Sequence, residues 1–316
     1  MTTAVSGASG MIGRVLCKSL ADDGQRVLRL VRRAAAGDDE LAWDPARGIL
    51  DGARLDGVDA IVHLAGANVG EGRWTAARKR ELRDSRVLST ALLARAIAAC
   101  ARKPRVFVSA SAIGWYGARN DTVDERAPRG DGFLAELCAE WEAAAEPARA
   151  AGVRVVHPRI GIVLSPDGGA LAKMLPPFRL GLGAVLGDGT APLSWVALGD
   201  TVAALRFAID QAPLAGAVNV TSPEPTTQRG LAVALGRALH RPVLLRLPGA
   251  LLRLAVGELA GSVLGAAAVV PTQLLRHGFH FAHPTLAAAL DHALGVSSGG
   301  EAHSGINDGG SDRLQQ

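Results

Sequence analysis

Three glycines, Gly7, Gly10 and Gly13, lie within Ser6-Gly7-Ala8-Ser9-Gly10-Met11-Ile12-Gly13, close to the start of a 316-residue chain. The apolar run Thr3–Ser6 before them reads as a strand, and Met11–Asp22 after them has helical periodicity. In a strand–turn–helix the first glycine allows a sharp turn, the second lets backbone approach a pyrophosphate, and the third lets helix pack closely on strand. The first N–H groups of the helix, and its positive dipole end, then face the phosphates. Gly7, Ser9, Gly10, Met11, Ile12 and Gly13 are therefore the expected cradle of a dinucleotide. The plain alternative is a glycine-rich turn with no ligand, which the strand–turn–helix context disfavours.

About 20 residues further on, a site built for NAD places a carboxylate against the ribose 2′-hydroxyl. The matching stretch here is Leu30-Val31-Arg32-Arg33, with no acid. Arg32 would meet a 2′-phosphate in a charge-assisted, often bidentate contact. NADP(H) is the expected cofactor, against the alternative of ordinary solvated arginines after a strand.

Elements must hold these residues in place. Short apolar runs at Arg26–Val31, Asp59–Leu64, Arg105–Ser109 and Val153–His157 read as strands. Helical stretches at Met11–Asp22, Trp74 to Cys100 and Phe133–Ala150 alternate with them. That alternation predicts an α/β fold, a Rossmann-type doubly wound parallel sheet. After Ser165 glycine and proline become frequent, which predicts a smaller C-terminal substrate lobe, mainly residues 166–296. Residues 197–222 are expected to return to the dinucleotide-binding domain of residues 1–165. Residues 297–316 have no apolar periodicity and read as a disordered tail.

Composition narrows the partners. Hydrophobic residues make up 48% and mean hydropathy is +0.19, enough for a large core. Lys and Arg outnumber Asp and Glu by 34 to 30, with only 4% aromatics and no basic block, so nucleic acid is not an expected partner. The apolar run between Glu258 and Arg276 is broken by Gly261, Gly265 and Pro271, so no membrane span is expected. Cys17, Cys100 and Cys138 have neither metal nor CxxC spacing, and free thiols point to a reducing, cytoplasmic setting. His63 ends a buried strand, where packing and backbone bonding are expected. His277, His280 and His283 are irregularly spaced, and no metal is expected. A small-molecule substrate is expected in the lobe; its identity and the oligomeric state are not legible.

Longer stretches carry a likeness. The glycine loop, His63-Leu64-Ala65-Gly66, Ser109-Ala110-Ser111 before Tyr116-Gly117, and Pro158-Arg159 before Gly161 together resemble the extended short-chain dehydrogenase/reductase superfamily. GRWTAARKRELRDSR, RIGIVLSPDGG, LAKMLPPFRLGLGAVLGDG and GFHFAHPTLAAAL resemble its atypical branch of NAD-dependent epimerase/dehydratase-like "epimerase family" proteins, over about residues 3–294. The resemblance implies NADP(H) contacts from Val31 and Arg32, from Leu64 and Ala65, from Glu81 and Arg86, and from Val163. For Glu81 and Arg86 the residues alone favour a solvated helix face.

Superfamily enzymes act through a Ser or Thr, a Tyr, and a Lys four residues after it. Ser111 fits the first by position. Counting back from Glu142, Leu134 and Cys138 stand where the Tyr and Lys belong, a departure shared with the atypical branch. Tyr116, the single tyrosine of the chain, lies in the loop after the strand Arg105–Ser109. Ser111 and Tyr116 are thus the candidate catalytic residues, with packing over the cofactor as the alternative for Tyr116. Lys173, Arg179 and Trp195 are candidates to face a substrate, or simply to pack. Two readings stay open: an NADP(H)-dependent oxidoreductase or epimerase on a possibly sugar-derived substrate, or a catalytically silent NADP(H)-binding sensor or interaction protein.

Overall fold

Consecutive apolar residues alternate between two faces of one sheet, because strand side chains point to opposite sides in turn. Val5, Val62 and Val108 face one layer, which also holds Leu16 and Leu205. Ala4, Ile61 and Phe107 face the other, with Leu93 and Ile97. Burial on both faces is what makes these strands nearly continuous apolar runs. The computed structural model describes residues 1–119, 121–264 and 267–295; the tail expected at 297–316 lies outside them.

The first elements are β1 (Thr2–Ser6), α1 (Met11–Asp22), β2 (Arg26–Val31), β3 (Glu40–Asp44), β4 (Ile49–Leu50), β5 (Ala60–His63), α2 (Ala76–Ala99), β6 (Val106–Ser109), β7 (Ser111–Ala112) and α3 (Phe133–Ala143). Across the sheet the order is Gly216–Val220, Arg154–Ile160, β6, β5, β1, β2, β3, β4, and β7 extends the pairing on Arg154–Ile160. Pairing is parallel except between β3 and β4. From β1 the chain winds outward to β2 on one side, while β5 and β6 continue on the other. That reversal opens a crevice at the carboxyl ends of β1 and β5, where ligands of such sheets bind. Gly7 and Leu64 are the first residues beyond those ends.

Two differences from the expected elements have local causes. β3 and β4 were not expected, since Glu-Leu-Ala-Trp-Asp is short and acidic at both ends; Glu40 is buried there by an ion pair described below. The stretch expected as one helix over Phe133–Ala150 is α3 followed by a separate turn of helix, Glu146–Ala150. Pro147 has no N–H to continue the first helix and sits in the first turn of the second, where none is needed.

The helix Leu198–Asp210 packs on α1 and the strand Gly216–Val220 forms the sheet edge. A further cluster around Leu171, Phe178, Trp195, Leu231 and Leu290 is the core of the C-terminal part. There short strands pair two by two, among them Ala184–Leu186 with Leu245–Leu247. No helix among the described residues is long and apolar enough to cross a membrane.

Candidate functional site

Gly7 has φ +70°, and a Cβ there would sit 2.8 Å from the Leu64 carbonyl carbon and 2.9 Å from the Ala65 nitrogen. The glycine loop therefore lies directly on the Leu64-Ala65 backbone, and both residues are half-buried. A Cβ on Gly13 would fall 2.1 Å from the Gly7 oxygen, so helix and loop touch there without room for a side chain. The Gly10 N–H closes the turn onto the Gly7 oxygen at 2.9 Å. Gly10 also caps α1 with no side-chain hydrogen bond. The first N–H groups of the helix, from Met11 on, are left for a ligand. Ser9 and Gly10 are exposed, and Ile12 and Met11 half-buried, with Met11 against Gly168 and Gly169. This shape suits a pyrophosphate lying across backbone.

At the end of β2, Val31 is half-buried and Arg32 is exposed. Arg32 has no hydrogen-bond or ion-pair partner among the described residues. Arg33 is committed elsewhere: its guanidinium forks onto Glu40, with Nη1 to Oε2 at 2.7 Å and Nη2 to Oε1 at 2.6 Å. Glu40 is only 3% exposed. The hydrogen bonds from Arg33 and then the Ala36 N–H hold its carboxyl down at about 2.

Beneath the crevice, Ser6 and His63 join the ends of β1 and β5. His63 is fully buried, which brings its pKa down to about 3 and keeps the ring neutral. Ser89 Oγ donates to the Ser85 oxygen at 2.7 Å, so it accepts from His63 Nε2–H at 3.0 Å. Nδ1 is then the acceptor for Ser6 Oγ at 2.5 Å. The imidazole bonds two hydroxyls, not backbone as expected, and ties the residue before Gly7 to α2. Unfolded, this histidine titrates near 6.5; folded, it refuses the proton until about 3. Its contribution is complete above pH 6.5 and is lost as pH falls below that, by up to about 1.4 kcal/mol per pH unit. Denaturant melts from pH 7 to 4.5 should show wild type losing stability more steeply than His63→Gln, by one proton's worth. Parallel curves would contradict the buried neutral ring.

Arg86, on α2, is 9% exposed and lies against Gly66. It donates to the Leu82 and Ala67 oxygens and stands 5.1 Å over the Trp141 ring. Burial lowers its pKa to about 10, so it stays cationic, with no carboxylate partner among the described residues. Glu81 is exposed and paired with Arg78 at 2.6 Å. Val163, 8% exposed, lies in the strand Ile162–Leu164 beside the Gly168-Gly169 turn. Lys173 reaches the Gly70 oxygen at 2.5 Å, linking the C-terminal helix Gly169–Arg179 to the loop after β5. Arg179 is exposed, while Trp195 is fully buried and donates to the Glu224 oxygen, so it packs and faces no substrate.

The two candidate catalytic hydroxyls are engaged elsewhere. Ser111 is 2% exposed and its Oγ donates to Glu142 Oε1 at 2.7 Å. Arg159 holds the same carboxylate through Nε at 2.8 Å and Nη2 at 2.9 Å. Its Nη1 donates to the Tyr116 hydroxyl at 3.1 Å, and that hydroxyl donates to Asn219 Oδ1 at 2.7 Å. Tyr116 is wholly buried, and burial pushes its pKa up rather than down. The chain Ser111–Glu142–Arg159–Tyr116–Asn219 is continuous and points inward. Leu134 and Cys138 press on Gly114 instead, where a Cβ would come within 3.0 Å of Leu134 and 3.7 Å of the Cys138 sulfur. Burial raises that thiol to about 11.

The NAD dependent epimerase/dehydratase family matches residues 3–221, more than two thirds of the chain. The chain belongs to that family. A domain of unknown function, DUF1731, matches residues 247–293 of this family member. An epimerase family protein of Mycobacterium bovis is 46% identical over 293 residues, covering 92% of this chain and 96% of its own. The crystal structure of human epimerase family protein SDR39U1 with NADPH superposes with a TM-score of 0.85 at 31% identity, covering 94% of this chain and all of that one. A nucleoside-diphosphate sugar epimerase from Corynebacterium glutamicum gives 0.75 at 32% identity, over 93% of this chain and 58% of its own.

Several residues that shape this family member's site escaped the sequence reading. Glu142, Arg159 and Asn219 are distant in sequence from what they bind, and Glu40 lies in a strand too short to show a period. Only the spacing Leu134, Cys138, Glu142, one helical face at four-residue steps, could have pointed to Glu142. Among the described residues no group of three or more His, Cys, Asp or Glu could hold a metal.

Proposed function

We propose that this protein binds NADPH in the crevice at the ends of β1 and β5, with no tyrosine-driven acid–base relay beside it. The observation that carries the cofactor choice is Arg32, a free exposed cation at the end of β2, with the nearest buried acid, Glu40, already neutralised. The helix start at Gly10–Ile12 would take the pyrophosphate through backbone N–H groups. The human relative, whose crystal structure is with NADPH, supports the same choice. A bound nicotinamide supplies hydride chemistry at its C4. Arg86 and the Leu64-Ala65 backbone would border that cofactor from the β5 side. Ser111 and Tyr116 donate their hydrogen bonds inward, to Glu142 and Asn219, so both read as structural hydroxyls. Any substrate, a small molecule of unassigned class, would then take its proton from water or from its own groups. Three free cysteines accord with a reducing, cytoplasmic setting.

A crystal grown with NADPH tests this. The 2′-phosphate should lie within hydrogen-bond reach of Arg32, and the pyrophosphate on the N–H groups after Gly10. At a hundredfold excess over Kd the ligand should also stabilise the fold by about 2.7 kcal/mol. A 2′-phosphate placed away from Arg32, or no thermal shift at saturating NADPH, would overturn the reading.

A further inference from the structure

The turn between β2 and β3 carries two adjacent arginines with different fates. Arg32 is exposed and unpartnered, whereas Arg33 folds back onto Glu40, the first residue of β3. The Glu40 side chain is 4% exposed and the Arg33 side chain 60%, so the acid lies under the turn and the cation covers it. The same pair organises the backbone between them. Arg33 Nη1 also donates to the Ala34 oxygen at 2.8 Å, and the Ala36 N–H donates to Glu40 Oε2 at 2.8 Å. The Glu40 N–H closes on the Gly37 oxygen at 3.1 Å. Ala34, Ala35, Ala36 and Gly37 put no bulky side chain on the outside of this turn.

We propose that Arg33 and Glu40 form a latch that sets dinucleotide selectivity, Arg33 cancelling and tying down a carboxylate that would otherwise oppose a 2′-phosphate at Arg32. Arg33 is thus a positioning residue and not a phosphate ligand. The inference rests on the NADPH reading above and deepens it.

Charge and geometry both require the latch. An uncancelled carboxylate on the same turn as Arg32 repels a dianionic phosphate held there, a cost that NADH, with only a 2′-hydroxyl, does not meet. A free end at Ala36 would also let the backbone next to Arg32 wander. Only Arg29 remains to share the charge, at 3.5 Å from Glu40, and it is already bonded to Asp39. Direct phosphate binding by Arg33 makes a different prediction, because then the acid is irrelevant once the arginine is gone.

Four proteins decide it: wild type, Arg32→Met, Arg33→Met, and Arg33→Met with Glu40→Gln, each titrated with NADPH and NADH by nicotinamide fluorescence. Affinity for NADH reports that the site is folded. Arg33→Met should weaken NADPH about five- to tenfold while moving NADH less than about twofold. Adding Glu40→Gln should restore NADPH to within about twofold of wild type. A double variant as weak as Arg33→Met would mean that Arg33 touches the phosphate, and overturns the latch. Equal weakening of both dinucleotides by Arg33→Met would overturn it too, as general damage. If Arg32→Met abolishes selectivity and Arg33→Met leaves it intact, the latch fails and the NADPH reading stands. A wild type indifferent to the 2′-phosphate overturns both.

Discussion

Glu142→Ala should destabilise this protein by about 3–5 kcal/mol, the range for removing one partner of a buried ion pair. The side chains of Glu142 and Arg159 are 12% and 4% exposed. With the carboxylate gone, Arg159 keeps the Tyr116 hydroxyl and its ring contacts, 3.8 Å over Trp115 and 5.3 Å over Tyr116, but no anion among the described residues. The Ser111 hydroxyl loses its acceptor as well. A buried guanidinium without an acid must either draw in water or distort its surroundings. Ser111→Ala removes one hydrogen bond to a charged neighbour and should cost about 1.5–3 kcal/mol at most. Tyr116→Phe removes one from Arg159 and one to the neutral Asn219 Oδ1, and should still cost less than Glu142→Ala, which strands a buried charge. Urea unfolding of the three variants needs no substrate. A Glu142→Ala protein within about 1 kcal/mol of wild type would show that the pair is not buried in solution. A Tyr116→Phe loss larger than that of Glu142→Ala would place the centre of the network elsewhere.

Much of the fold was legible because it is written in contiguous runs. Met11–Asp22 and Arg26–Val31 have the bounds read from periodicity, and the glycine spacing located the turn between strand and helix. What escaped was written across distance. β3 is too short to display a period, and its Glu40 becomes a strand residue only because Arg33, seven positions earlier, neutralises it. Ser111 was placed correctly beside the sheet, but the direction of its hydroxyl depends on Glu142, 31 residues away. Tyr116 is separated from Asn219 by 103 residues. Position along the chain suggested two proton donors; in the structure both hydroxyls donate within a buried side-chain network. Arg86 shows the converse, since its i to i+4 neighbours suggest a solvated face while the β5 loop and Trp141 bury it.

The glycine loop binds the part that all nicotinamide dinucleotides share, so its presence cannot separate NADPH from NADH. Arg32 can. A charge-assisted bond to a 2′-phosphate is worth about 1.5–3 kcal/mol, which corresponds to a preference on the order of 10- to 100-fold. Arg32→Asp replaces that contact with repulsion of the phosphate and supplies an acceptor for a 2′-hydroxyl. Arg32 is exposed and has no hydrogen bond or ion pair among the described residues, so stability should change little. The most direct measurement is therefore the ratio of the NADH and NADPH dissociation constants in wild type and in Arg32→Asp. The expected result is a wild type favouring NADPH by at least about tenfold and a variant that has lost or reversed that preference. Equal affinities in wild type, or the same ratio in both proteins, would contradict the account.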